Sequence, residues 1–315
     1  MRVDKRKVVL IGTGMVGMSY AYALLNQAAC DELVLIDINK ERAMGEAMDL
    51  NHGLAFAPGS MRIFAGEYDD CKDADLVVLC AGVPQKPGES RLDLLQRNAD
   101  VFKTIIDPVV KSGFTGIFLV ATNPVDIMSK VVLELSGFPS SRVIGSGTTL
   151  DTARLRYLLG DYFHVDPRNI HAYVIGEHGD SEFVPWSQAM LATKPILDVC
   201  VEKDSCSLDE IQEISEQVRN SAQVIIKAKR ATYYGIGMAL TRITKAILGD
   251  ENSVLTVSSY VDGLYGIKDV YLGLPTFVNN GGARGILPLG LQPEELTQLK
   301  NSADTLREFC NKLSL

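Results

Sequence analysis

The run "VVLIGTGMVG" (Val8–Gly17) decides how this chain folds. Four apolar residues lead without interruption into Gly12, Gly14 and Gly17, spaced G-x-G-x-x-G. A strand buried on both faces shows no polar alternation, so a short apolar run that stops at glycine reads as strand, turn and helix start. The glycines allow a tight turn and let backbone N–H groups at the helix N-terminus approach a pyrophosphate. Such a triplet alone is often an ordinary turn. What raises this one is Asp37, which ends the next apolar run, "LVLID" (Leu33–Asp37), twenty residues after Gly17. A carboxylate there hydrogen-bonds an adenosine ribose and repels a 2′-phosphate, which points to NAD rather than NADP.

Working outward, "LVVLCAG" (Leu76–Gly82), "GIFLVATNP" (Gly116–Pro124) and "RVIGSG" (Arg142–Gly147) are also nearly continuous apolar runs, bounded by Gly, Pro, Asn or Asp. Helix-length segments separate them, predicting βαβ units and a parallel sheet. Beyond Ser146 the pattern changes. Helices are expected from about Leu150 to Tyr162, Ser207 to Ala228 and Ile236 to Leu248, with a charged helix at the C-terminal end. Strands are expected in "IHAYVIG", "VLTVSSYV" and "DVYLGLPTFV". The expected fold class is α/β: a Rossmann-type doubly wound parallel sheet over residues 1–145, followed by a mixed α+β substrate-binding domain over 146–315. The glycine-rich stretch "FVNNGGARGILPLGL" (Phe277–Leu291) has no functional reading.

Composition excludes several classes. The 315 residues are 46% hydrophobic and 22% charged, and no apolar run approaches the ~20 residues that span a bilayer. The start, "MRVDKRKVVLIGTG", passes from charges straight into a strand, unlike a signal peptide. The six cysteines show no metal spacing, so they read as reduced thiols in a cytoplasmic protein. A net charge of -8 argues against general nucleic-acid binding, and any anion site must be built from local arginines.

The candidate for chemistry is "YVIGEHGDSEF" (Tyr173–Phe183), where glycines flank His178, one of four histidines. A glycine-bounded loop after a strand presents a side chain to a cleft, and histidine titrates in the range needed to exchange a hydroxyl proton. Such a histidine needs a carboxylate to orient it. Asp180 and Glu177 are near in sequence, but loop neighbours need not face the ring. In "TTLDTARLRYLLGDYF" (Thr148–Phe163), Asp151 and Arg154 lie about 60° apart on a helix. One turn would then supply an orienting carboxylate and a bidentate grip on a substrate carboxylate. Taken alone, an i, i+3 pair of this kind is more often a surface salt bridge.

Together "GTGMVG", "AGVPQKPGESRLDLLQRN", "VATNPVD", "GSGTTLDTARLR", "IGEHGDSE" and "KRATYYGIG" resemble the L-lactate/malate dehydrogenase family over nearly the whole chain. The glycine turn is shared by many folds; "IGEHGDSE" and "LDTAR" are far more specific. The resemblance implies that His178 is the proton donor and acceptor, Asp151 its orienting carboxylate and Arg154 the grip on the substrate carboxylate. It implies that Arg91 polarises the carbonyl from a mobile loop, that Asn123 meets substrate and nicotinamide, and that Thr232 walls the substrate pocket. On the NAD side it brings in Val16, Tyr68, Gly82 and Ser146 beside Gly12, Gly14, Gly17 and Asp37. Gln85 stands where malate enzymes of the family carry an arginine. A neutral side chain there leaves malate's second carboxylate unpaired, which favours pyruvate/L-lactate. A catalytically dead NAD-binding protein on the same fold has no need of His178, Asp151, Arg154 and Arg91 together.

Two basic residues remain. Arg156 is about 200° from Arg154 around the helix, and His171 precedes His178 by up to roughly 23 Å of extended chain. The short N-terminus makes the resemblance one to bacterial members. It implies that Arg156 and His171 bind fructose 1,6-bisphosphate across an interface of a homotetramer, where a bisphosphate neutralises two like-charged patches.

Overall fold

The computed structural model describes residues 5–83, 88, 90–202 and 206–314, apart from the side chains at 91 and 208. Six strands of the first half form a parallel sheet: β1 (Lys7–Ile11), β2 (Glu32–Ile36), β3 (Arg62–Ala65), β4 (Leu76–Leu79), β5 (Ile117–Val120) and β6 (Val143–Gly145). Their order is β3-β2-β1-β4-β5-β6, so the chain reverses direction across the sheet between β1 and β4. Every residue of β1, β2, β4, β5 and β6 is buried, as their continuous apolar runs require. The third strand escaped sequence reading. It lies at the sheet edge with an exposed Arg62, and so lacks the long apolar run that marks the others.

The connections are helical: α1 (Met15–Gln27), α2 (Lys40–Gly53), α3 (Arg91–Lys111) and α4 (Val125–Ser136). The second half contains α5 (Thr149–Phe163), a small antiparallel sheet of β7 (Ile170–His171), β8 (Met190–Leu191) and β9 (Lys194–Pro195), then α6 (Ile196–Glu202), α7 (Leu208–Lys229) and α8 (Tyr234–Leu248). It ends with β10 (Ser253–Val261), β11 (Val270–Asn279), β12 (Gly282–Ile286) and α9 (Pro293–Cys310). The last three strands do not form a sheet of their own. β10 pairs antiparallel with β6 at Ser258–Gly145, and the meander β10-β11-β12 extends the parallel sheet to nine strands.

Helices cover both faces of that sheet. One core gathers residues of α3, α4 and α9, and the other residues of α1, α2 and α8. The buried Tyr20 hydroxyl meets Thr244 at 2.7 Å and ties α1 to α8 across the halves. A third core fills the space among α5, α7 and the small sheet.

Two expectations need correction, for "IHAYVIG" and for the cysteines, and the glycine-rich stretch gains a structure. "IHAYVIG" forms a strand only at Ile170–His171. The rest of it stays extended and pairs by single bridges, Ile175 with Phe183 and Gly176 with Gly273. The glycine-rich stretch is an ordinary hairpin of β11 and β12, with a bulge at Phe277/Val278. The cysteines are not all free: Cys200 and Cys206 form a disulfide. Their Cα atoms lie 4.7 Å apart, inside the range a disulfide spans. Among the described residues no helix is long and apolar enough to cross a membrane.

The tight point of the fold is where β1 enters α1. Gly12 has φ 102°, and a Cβ on Gly17 would lie 2.1 Å from the Gly12 carbonyl oxygen. That neighbour is backbone and cannot rotate away. Gly17→Ala is therefore expected to cost at least about 1–3 kcal/mol in urea unfolding. Gly14→Ala, with nothing within 4 Å of the added carbon, should stay within about 0.5 kcal/mol. Equal midpoints for the two variants would contradict this packing.

Candidate active site

Six strands of one parallel sheet end on one edge, and the positions singled out for the cofactor follow those ends. Gly12 succeeds β1 and Asp37 succeeds β2; Tyr68 lies shortly after β3, Gly82 after β4, Asn123 after β5, and Ser146 directly after β6. In open α/β sheets ligands lie outside the carboxyl ends, where the strand order reverses. The residues fit a dinucleotide there. Gly14 caps α1 without a side chain, the first turn of α1 holds no acid, and the space beside Gly14 is open. The first N–H groups of α1 thus face an approachable gap suited to a pyrophosphate. Asp37 accepts from the Thr13 N–H and hydroxyl at 2.7 and 2.8 Å and from the Asn39 N–H at 2.9 Å. Burial pushes its carboxyl up, but these donors and Arg42 outweigh it and hold it below the usual carboxylate range. Val16 is half-buried in the first turn of α1, and Tyr68 opens a short 3-10 turn at the same edge.

The β6 strand leads through Ser146 into α5, whose first turn carries Asp151. Asp151 is almost fully buried. One of its oxygens is 2.6 Å from His178 Nδ1, and the other accepts from Arg154 at 2.7 Å. The i, i+3 pair is thus a salt bridge, but a buried one with a third member. Burial opposes ionisation of Asp151, yet the charges and hydrogen bonds of His178 and Arg154 hold its pKa below the usual range. For His178, burial disfavours the charged ring, but Asp151 dominates with help from Asp126 and Glu182, raising its pKa to about 9. With Nδ1 engaged, Nε2 is the ring atom left to exchange a proton.

Several elements hold this geometry. Thr148 donates to the Val174 carbonyl at 2.6 Å and Thr152 accepts from the Val174 N–H at 3.0 Å, fastening α5 to the segment before His178. Gly176 exchanges paired backbone hydrogen bonds with Gly273 of β11. The Glu177 N–H donates to Ser302 of α9 at 2.6 Å. The His178 N–H donates to Asp126 of α4 at 2.8 Å, and Ser258 of β10 donates to the other oxygen of Asp126. Burial pushes the Asp126 carboxyl up to about 6 against those two donors.

The structure thus brings His178, Asp151 and Arg154 together. Asn123, joined to Pro124 by a cis bond, stands three residues before Asp126 at the same edge. Thr232 is half-buried in the connection between α7 and α8. Arg91 begins α3, but its side chain, like the whole of Gln85, lies outside the described residues. Arg156 points elsewhere: its guanidinium lies 5.3 Å from the Tyr173 ring centroid and donates to the Ala172 carbonyl at 3.2 Å, beside exposed His171. Sequence reasoning left Asp126, Ser258 and Glu182 without a role. Asp126 and Glu182 sit within "VATNPVD" and "IGEHGDSE", so a signal existed for them. Ser258 had none.

Comparison with known proteins finds relatives over nearly the whole chain. Residues 6–145 match the family model described as lactate/malate dehydrogenase, NAD binding domain. Residues 148–314 match lactate/malate dehydrogenase, alpha/beta C-terminal domain. An L-lactate dehydrogenase of Bacillus pumilus is 54% identical over 303 residues, 96% of each chain. L-lactate dehydrogenase 1 of Bacillus cereus is 53% identical over 308 residues, 98% of each. Among solved structures, a lactate dehydrogenase from a Medee basin deep-sea metagenome library has a TM-score of 0.97 at 55% identity, covering 99% of both chains. The minor L-lactate dehydrogenase of Enterococcus mundtii in its ligands-bound form also scores 0.97, at 47% identity and 99% coverage of both chains. The chain belongs to the lactate/malate dehydrogenase family and is an NAD-dependent oxidoreductase.

Proposed function

We propose that this chain is an L-lactate dehydrogenase interconverting pyruvate and L-lactate, with residues 1–145 as its NAD domain and 146–315 as its substrate domain. One observation carries the reading: a single buried carboxylate, Asp151, holds both His178 and Arg154 at the carboxyl edge of a sheet that also carries the dinucleotide turn. Bound NADH supplies the hydride to the carbonyl carbon of pyruvate. Protonated His178 gives its Nε2 proton to the carbonyl oxygen as the C=O pair becomes O–H, while Nδ1 stays on Asp151. Arg154 keeps N–H groups beyond the one that holds Asp151, and these grip the substrate carboxylate. Arg91, at the start of α3, stabilises the negative charge developing on the carbonyl oxygen. Asn123 and Thr232 complete the pocket. Val16, Tyr68, Gly82 and Ser146 surround the cofactor.

Neutral Gln85 and the names of the near relatives favour pyruvate over oxaloacetate. We propose further that Arg156 and His171 take fructose 1,6-bisphosphate at an interface of a homotetramer. Arg156 lies against Ala172 and Tyr173, the residues that follow His171 in the chain, and outside the catalytic cluster, which supports this.

NADH oxidation with pyruvate should exceed that with oxaloacetate by at least about tenfold, and Gln85→Arg should move the preference toward oxaloacetate. Wild-type enzyme that prefers oxaloacetate would refute the assignment.

Asp151→Asn removes the main cause of the raised imidazole pKa. The ring titration, followed by proton NMR, should fall from about 9 toward or below its ordinary 6.5. Reduction uses protonated His178, so kcat/KM for pyruvate should decline as pH rises through that pKa, and earlier in the variant. An unmoved titration would mean that Asp151 does not govern the ring.

Millimolar fructose 1,6-bisphosphate should lower the pyruvate KM and favour the tetramer in sedimentation, with both effects lost in Arg156→Gln. No change in either between pH 5.5 and 8 would remove the regulatory site and leave the catalytic one standing.

A further inference from the structure

Glu182 follows His178 by four residues, and the fold buries it. One ligand atom from each of Glu182, Asp151 and His178 lies within 4.8 Å of the others. The charged groups facing Glu182 come from several elements. Asp151 and Arg154 stand on α5, His178 on its own loop, and Arg219 on α7, where it donates to the Glu182 carbonyl at 3.0 Å. Asp126 of α4 accepts from the His178 backbone N–H. On the outer side a cavity lined by Asp180, Trp186, Arg219 and by Glu294 and Glu295 of α9 reaches Glu182. The buried hydroxyl of Ser215, which has no partner among the described residues, lines the same cavity.

Charge decides what this acid does. With Asp151 ionised and His178 and Arg154 cationic, the cluster carries one net positive charge, which suits a substrate carboxylate. An ionised Glu182 cancels that charge. Two carboxylates so close, out of water, do not both ionise readily. Burial and the neighbouring Asp151 push the Glu182 carboxyl up to about 8, against the pull of His178, Arg154 and Arg219. At neutral pH it is therefore an uncharged acid beside the catalytic pair.

We propose that Glu182 is a positioning residue whose carboxyl must be uncharged for the anionic substrate to bind at Arg154, so that its ionisation shuts the site on the alkaline side. The inference rests on the pyruvate/lactate reading of this site. Two protons must then be present for productive binding, one on His178 and one on Glu182. They belong to a coupled pair, so the observable is the number of protons rather than a value for each.

The test is the pH dependence of kcat/KM for pyruvate between pH 6 and 10.5. In the wild type, log kcat/KM should steepen to a slope of about -2 above pH 9, with the pyruvate KM rising about tenfold or more over the range. Glu182→Gln, which cannot ionise, should leave a slope of about -1, and Glu182→Asp should restore the steeper limb. A purely structural role would change rates without changing the slope. A wild-type slope of one, or a slope unchanged in Glu182→Gln, overturns the proposal. If Glu182→Gln does not fold, calorimetry of oxamate binding to the wild-type NADH complex, in buffers of different ionisation enthalpy, decides. More than one proton should be taken up near pH 9, and uptake never above one overturns the proposal. Oxamate binding without any pyruvate-dependent NADH oxidation would remove the reaction itself, a different failure.

Discussion

A carboxylate taken out of water costs several kcal/mol unless its charge is met. Asp151 is 1% exposed, and its two oxygens are met by two different cations. Neither partner can leave without stranding the charge, so His178 and Arg154 are fixed relative to one another before any substrate arrives. This is preorganisation in its simplest form: the group that takes or gives a proton and the group that grips a carboxylate share one anchor. The arrangement then depends on where that anchor stands. It stands in the first turn of α5, just past the last parallel strand, because Ser146 takes up the backbone of β5 and Thr148 that of Val174.

The histidine has no comparable anchor within its own segment. Its loop is flanked by glycines and makes only isolated bridges, so other elements must place it. Asp126 on α4, Gly273 on β11 and Ser302 on α9 do so through backbone donors at Gly176, Glu177 and His178. Buried polar groups such as Ser258 and Asp126 are tolerated here because each meets the other. The His178 loop is thus held by its protein frame rather than by its own sequence.

The parts of this structure readable in the sequence were those with a local cause. The buried strands announced themselves by continuous apolar runs, the dinucleotide turn by glycines whose spacing the backbone enforces, and α5 by its periodicity. Family likeness, rather than spacing, chose Asp151 over Asp180 and Glu177 as the partner of His178. What stayed hidden had a tertiary cause. β3 is half-exposed at an edge, and its pattern is that of many loops. The Cys200–Cys206 bond depends on two Cα atoms coming within 4.7 Å, which a spacing of six residues does not announce. The antiparallel attachment of β10 to β6, and the support that Ser258 gives Asp126, arise from partners far apart in sequence that no local pattern marks.

The dependence of the His178 loop on Ser302 also has a consequence in time. Ser302 lies 125 residues after Glu177, and Ser258 lies 132 residues after Asp126. A chain made from its N-terminus completes the βαβ units early, since their contacts are short in sequence and quick to form. During synthesis the dinucleotide turn therefore precedes the catalytic loop, and the last clamp on that loop, Ser302, arrives only with α9. The residues that would hold a dinucleotide are thus made well before the last residue that steadies the catalytic histidine.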